Sequence, residues 1–167
     1  SIAMWVKGLL QSDNRVWSEG SSSNNSPLFN IGTDSGGGSG AVDIYIRSTS
    51  GTVMNHVKSN GEAFDGSWHH IAWIDVDGDA KLYIDGVEDS QDFSYVKPSL
   101  ALDRTAIGAV LRDDACCFFD GEIDDVGVWD FELSAAEVAL LASGASPGEG
   151  SLYGPAIATD IESELRD

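Results

Sequence analysis

The sequence predicts an all-β fold, an antiparallel sandwich of two sheets with one short helix near residues 135–143. Three observations predict it. No helix-period segment of any length precedes residue 134. Turn clusters rich in Gly, Ser, Asn and Pro, at 21–27, 36–40 and Asn60-Gly61, punctuate the chain at short intervals. The 19 Gly and five Trp among 167 residues suit many short strands separated by loops. A chain of this length can withdraw about 70% of its unfolded surface from water around a single core. One domain is therefore expected over 1–145, followed by a linker and docking tail over 146–167.

In chain order, Ser1 to Lys7 reads as an early strand carrying Trp5. Gly66 to Val87 reads as two alternating strands joined at Asp77-Gly78, a dipeptide suited to a two-residue hairpin turn. Alternation puts Trp68, His70, Ala72 and Ile74 on one face, continued after the turn by Leu82 and Ile84, with Lys81 and Tyr83 opposite. Ile123, Val126, Val128 and Trp129 form a last strand opened by Asp120-Gly121. Ile123 is out of phase with Val126 and Val128, so a β-bulge near Asp124-Asp125 is expected to absorb one residue. That bulge would turn one carboxylate inward, to bond loop amides or to meet a metal, with the structural role favoured. Ser134 and Glu137 then form a capping box. Val138, Leu140 and Leu141 supply the apolar side of the helix and Gly144 ends it.

Three of these blocks resemble one family. The strand and capped helix of Phe119 to Ser143, the Trp-His-His-Ile opening and Tyr-Ile-Asp-Gly-Val close of the hairpin, and the strand at 1–7 are similar to laminin-G-like and pentraxin-like domains. These belong to the concanavalin A-like jelly rolls, and the resemblance covers roughly residues 1 to 144. It implies a jelly-roll sandwich and a ligand rim. In pentraxins Ca²⁺ is held by acidic and amide residues of two loops, one after an early strand and one after the strand that here ends Ala106-Ile107-Gly108. Asp34 lies near the first loop, and Asp113 and Asp114 near the second. Val110 and Arg112 stand where second-loop ligands would be, so the resemblance implies one structural Ca²⁺ rather than a pair. Relatives also carry a strand before the one that begins at Ser1. Its absence would leave a sheet edge unpaired, to be covered by Leu152 to Ile157 of the tail or by a neighbour's tail.

Charge and composition exclude several classes. With 28 Asp plus Glu against 9 Lys plus Arg, the formal charge of −19 repels phosphate backbones, so neither nucleic acid nor an anionic membrane is an expected partner. No apolar run approaches a membrane span. No charged-then-apolar leader is seen, which leaves a mature secreted form and a cytoplasmic product both open. Asp75, Asp77 and Asp79 alternate like the start of a calcium loop, but position twelve would be Gly86 and the flanks are strands, so a polar hairpin turn is expected. Glu122-Ile-Asp124 opens the motif of retaining glycosidases on this architecture. The second carboxylate should follow at 126 or 127, where Val126 and Gly127 stand, and one glutamate without its partner cannot run that chemistry. His69 and His70 are neighbours on a strand and point to opposite faces, one packed and one exposed. Cys116 and Cys117 form no disulfide framework, and one thiol is expected inside and one outside.

Tryptophans in strand patterns (Trp5, Trp68, Trp73 and Trp129) are expected in the core. Trp17 is either a strand residue or an exposed stacking group, and Tyr45, Tyr83 and Tyr95 are weaker stacking candidates. The candidate ligand-binding residues are thus Trp17, Asp34 and Tyr45, and the candidate metal ligands Asp34, Asp113 and Asp114. The expected function is non-catalytic recognition or adhesion, with a glycan or protein surface bound at the loop rim, with or without Ca²⁺, outside the cell or on a cell or virion surface. The alternative is a structural or decoration subunit that self-associates through its edge strand and tail.

Overall fold

A computed structural model describes residues 1–148; Leu152 to Ile157 and the rest of the expected docking tail lie outside the described residues. Twelve strands precede one helix: β1 (Ile2–Gly8), β2 (Arg15–Gly20), β3 (Leu28–Thr33), β4 (Ala41–Ser48), β5 (Gly51–Glu62), β6 (Trp68–Val76), β7 (Asp79–Ile84), β8 (Val87–Glu88), β9 (Arg104–Ile107), β10 (Val110–Leu111), β11 (Ala115–Cys116), β12 (Gly121–Val128) and α1 (Ala135–Ala142). They build two five-stranded antiparallel sheets, β12-β1-β6-β7-β8 and β5-β4-β3-β2-β9, with β10-β11 as a separate hairpin. The sheets stack face to face in the jelly-roll manner over Met4, Val6, Ile31, Ile44, Ile46, Phe64, Ile71, Trp73, Leu82 and Phe93.

A second, smaller core lies on the outer face of the first sheet. There Ala3, Ala72, Ile74 and Tyr83 meet Trp129, Leu133, Val138 and Leu141. Strand β6 is therefore buried on both faces along much of its length, and this corrects the expected faces of the hairpin. The turn at Asp77-Gly78, with φ of 55° and 94°, pairs Trp73 with Leu82, Ala72 with Tyr83 and Ile71 with Ile84. Leu82 and Ile84 accordingly share the sandwich face with Ile71 and Trp73, while Lys81 and Tyr83 lie with Ala72 and Ile74. A strand apolar on both sides carries no alternation to read; the turn sets the register instead.

The helix forms as its cap dictates. Ser134 accepts the N–H of Glu137, and Glu137 accepts the N–H of Ser134 at 2.7 Å. Val138 and Leu141 are buried, but Leu140 is 47% exposed and does not belong to the packed side. Gly144 follows the helix with φ of 96°, the left-handed stop that favours glycine.

Strand β1 is not an edge. It runs between β12 and β6, so the outermost strands of its sheet are β12 and β8. The bulge in β12 forms as expected: Ala3 faces Gly127 and Trp5 faces Asp124, two steps against three, with Asp125 at φ 46°. Both carboxylates nevertheless stay exposed. The Asp124 Oδ1 accepts the N–H of Asp125 at 2.8 Å, so the structural role is local and outward-facing rather than inward. Cys116 and Cys117 are both half-buried free thiols in contact at 2.9 Å. The expected inside-outside split fails because Cys117 leaves the strand at φ 58°. Burial first, then the bond from Cys116, pushes the Cys117 thiol up to about 12.

Candidate functional site

Strand β4 alternates cleanly. Val42, Ile44 and Ile46 enter the core, and Asp43, Tyr45 and Arg47 face the other way. At one end of that outer face the polar groups are buried and paired. Asp43, fully buried, lies 3.0 Å from Nδ1 of His56 and accepts the N–H of Ser35 at 3.1 Å. The Arg15 guanidinium, 2% exposed, lies 3.6 Å from Asp43, donates to the Thr33 carbonyl at 3.3 Å and pairs with Asp13. His56 reaches Asp43 because β5 bulges there, at φ 54°. Asp34 completes this end: its Oδ1 accepts from Gly36 N–H at 2.7 Å and pairs with the Lys58 ammonium, and its Oδ2 accepts the Ser39 hydroxyl at 2.8 Å. The Lys58 bond, helped by Ser39 and Gly36, holds the Asp34 carboxyl well below the usual carboxylate range although burial opposes it. Gly32 sits in the same corner, where a Cβ would stand 2.2 Å from the Asn14 carbonyl, so only glycine lets the backbones meet.

The other end of the face opens into a cleft of about 570 Å³ between the β2–β3 loop, the β4–β5 turn and the β10–β11 turn. Arg47 donates to the carbonyls of Ser26 at 2.7 Å and Asn25 at 2.8 Å, and Arg112 reaches Asn25 at 3.3 Å. Asn25 pairs its side-chain amide with the Asp113 carboxylate and accepts the Asp113 N–H at 3.3 Å. Three loops are thus clasped around Asn25, with Ser48 to Gly51, Asp114 and Cys116 along the wall. Tyr45 lies between the two ends of the face, half-exposed, its ring 4.7 Å from that of His56 and 6.0 Å from the Arg47 guanidinium.

Of the three candidate ligand-binding residues, Tyr45 alone is left half-exposed. Trp17 is 4% exposed and packed in the sandwich core, a strand residue rather than a stacking group. Asp34 and the pair Asp113 and Asp114 are not brought together. Asp34 follows the end of β3 and Asn25, the partner of Asp113, precedes its start, about 20 Å away along six residues. The donors do not fit a Ca²⁺ ion. Asp34 spends both oxygens on its own loop and on a lysine, and Asp113 shares its cleft with two guanidiniums. Among the described residues no group of three or more His, Cys, Asp or Glu could hold a metal. Trp73 and Trp129 are core residues, but Trp68 is 40% exposed and Trp5 is only half-buried, against expectation. The Arg15, Asp43 and His56 cluster was not anticipated, although the alternation of β4 places Asp43 on the outer face in plain view.

The family profile described as Laminin_G_3, concanavalin A-like lectin/glucanases superfamily, matches residues 1–139. Among known proteins, C-reactive protein 1.1 of Limulus polyphemus is 21% identical over 126 residues, 70% of this chain and 52% of that relative. The chain therefore spans about half the length of this relative. Among solved structures, the native heptameric SAP-like pentraxin of Limulus polyphemus superposes with a TM-score of 0.62 at 18% identity, covering 87% of this chain and 70% of that one. The CBM40 of Ruminococcus gnavus IT-sialidase, bound to α2,6-sialyllactose, gives 0.62 at 20% identity over 84% and 81%. Domain 4 of AbnA, a GH43 arabinanase of Geobacillus stearothermophilus in complex with arabinotriose, gives 0.60 at 21% identity over 84% and 65%. At these identities the likeness establishes the fold.

Proposed function

The chain belongs to the concanavalin A-like lectin/glucanases superfamily, and within it we propose that this protein is a non-catalytic module that binds glycans at the Asn25, Arg47 and Arg112 cleft, outside the cell or on its surface. The observation that carries the reading is the cleft itself: three loops held together by arginine-to-carbonyl bonds and the Asn25–Asp113 pair, with the half-exposed Tyr45 ring 6.0 Å from the Arg47 guanidinium. Preorganised polar groups beside an aromatic ring suit a hydroxyl-rich ligand, because little loop ordering is needed on binding. Asp113 and Asp114 act here as acceptors for sugar hydroxyls. Arg47 and Arg112 give the cleft a positive component that admits acidic saccharides to an otherwise acidic protein. Two structural neighbours hold sialyllactose and arabinotriose, which supports a saccharide over other ligands.

Catalysis has no footing in this reading. Glu122 pairs with Lys7 at 2.8 Å, and Val126 and Gly127 occupy the positions where a second carboxylate would be needed. The test is a glycan array followed by calorimetry on the strongest hit. Tyr45→Ala should weaken that hit by about tenfold or more while melting stays near the wild-type value, and Arg47→Ala should weaken it further. A silent array, or a hit that both variants bind unchanged, overturns the proposal.

A further inference from the structure

On the outer face of the first sheet the helix covers only one end. The α1 helix and the segment before it pack on Ala3, Ala72, Ile74 and Tyr83. The other end is left to Trp5, Lys7, Trp68, Asp124 and Asp125. Register fixes their places: Asp124 stands opposite Trp5 and Trp5 opposite His70, while Trp68 lies one row along, opposite Lys7. Between them runs a groove of about 260 Å³ lined by Trp5, Trp68, Asp124 and Asp125. From β12 to β6 is two strand spacings, about 10 Å, room for one sugar ring to lie across Trp5.

Both indoles are held in place. Trp5 meets the buried His70 ring edge-on at 5.4 Å. Trp68 has the Lys7 ammonium 5.8 Å from its centroid, and Lys7 is itself anchored by Glu122. The bulge that sets Asp125 at φ 46° brings two exposed carboxylates to the rim of the groove. Among the described residues neither has an ion-pair partner. A Trp that is 40% exposed, a second ring beside it and two unneutralised carboxylates make an arrangement with two halves. The indoles accept the C–H face of a pyranose, and the carboxylates accept its hydroxyls.

We infer that this groove is a second saccharide site, on the sheet face opposite to the rim cleft, selective for uncharged hexose chains. Selection against acidic sugars follows from charge: a sialic acid or uronate carboxylate would face Asp124 and Asp125 with no local cation but the Lys7 already paired with Glu122. The site does not depend on the cleft.

The test is calorimetric titration with cellotriose, mannotriose and a β-galactotriose, and with sialyllactose. At least one neutral trisaccharide should saturate with a Kd of about 1 mM or tighter. Trp68→Ala should weaken it about tenfold or more, Trp68→Phe should restore part of the loss, and Arg47→Ala should leave it unchanged. Asp124→Asn keeps an acceptor for the Asp125 N–H while removing charge, and should narrow the discrimination against sialyllactose. The inference is overturned if none of the three trisaccharides saturates in the millimolar range. It is equally overturned if Trp68→Ala melts like the wild type and binds unchanged, or if binding is lost in Arg47→Ala, which would assign the sugar to the cleft.

Discussion

Replacing His70 by Phe should remove most of the acid sensitivity that this residue imposes on the fold. The His70 ring is 2% exposed, packed against Trp5, and its Nδ1 has no hydrogen-bond partner among the described residues. Burial depresses its pKa to about 4, with Asp85 opposing weakly. The unfolded chain therefore takes up a proton on His70 between pH 6.5 and 4 that the folded chain refuses, and stability falls as pH falls through that window. At pH 4.5 the two pKa values give a loss of about 2.5 kcal/mol relative to pH 7.5. In a protein of this size that corresponds to several degrees of Tm. A phenyl ring keeps the packing against Trp5 and cannot titrate. Urea unfolding of both proteins at pH 7.5 and 4.5 and fixed ionic strength isolates the effect, because the many carboxylates contribute equally to each. The variant should lose about 2.5 kcal/mol less than the wild type between the two pH values. Parallel pH profiles would refute the reasoning and show that His70 titrates normally.

His69 should behave in the opposite sense. Burial pulls its pKa down, but bonds to Asp85 at 2.7 Å and Asp65 at 3.2 Å raise it on balance. Its contribution is therefore present below about pH 6.5 and lost as pH rises through the higher folded value, so His69→Gln should destabilise at pH 6 more than at pH 8.5 in the same urea assay. Lys58→Met leaves the buried Asp34 carboxylate without its cation, at a cost of about 1–3 kcal/mol. It should also move the onset of acid unfolding upward, because Asp34 stabilises above its unfolded pKa and loses that contribution as pH falls. Ser134→Ala removes the helix cap and should cost about 1 kcal/mol, read as a lowered Tm. EDTA in moderate salt should leave Tm unchanged, and a drop restored by Ca²⁺ would reveal a metal site that the donor geometry does not provide.

What could be read from the sequence was what local chemistry determines. The capping box at Ser134 and Glu137, the turn at Asp77-Gly78 and the bulge at Asp124-Asp125 each follow from a few neighbouring residues, and each forms where expected. What could not be read depends on which elements lie over a given face. The faces of β6 and β7 were misassigned because a helix far away in sequence buries the second side of β6, so Ala72 and Ile74 look no different from Ile71 and Trp73. The same helix explains Trp68. It stops short of that end of the sheet, and a residue type that is usually packed is left open to solvent. At the rim, Asp34 looked like a ligand because acidic loop residues have one appearance whether they hold an ion or a backbone. Only the fold shows Lys58, twenty-four residues away, already seated on it.

The rim's construction also bears on how such loops can be held without an ion. A bound divalent cation would gather carboxylates from separate loops and neutralise them. Here Arg15 and Lys58 do that work at one end of β3, each seated on an aspartate from another strand or loop, and Arg47 and Arg112 clasp the carbonyl of Asn25 at the other. Buried pairs of this kind contribute little net stability against apolar replacements, yet removing one partner leaves a charge stranded, which fixes the arrangement strongly. The consequence is a corner gathered by the protein's own cations, so that removing one of them, as in Lys58→Met, strands a carboxylate there. The proposed glycan-binding cleft lies at the other end of β3 and is clasped separately, by the arginine-to-carbonyl bonds of Arg47 and Arg112, so it is held without the ion pairs of that corner.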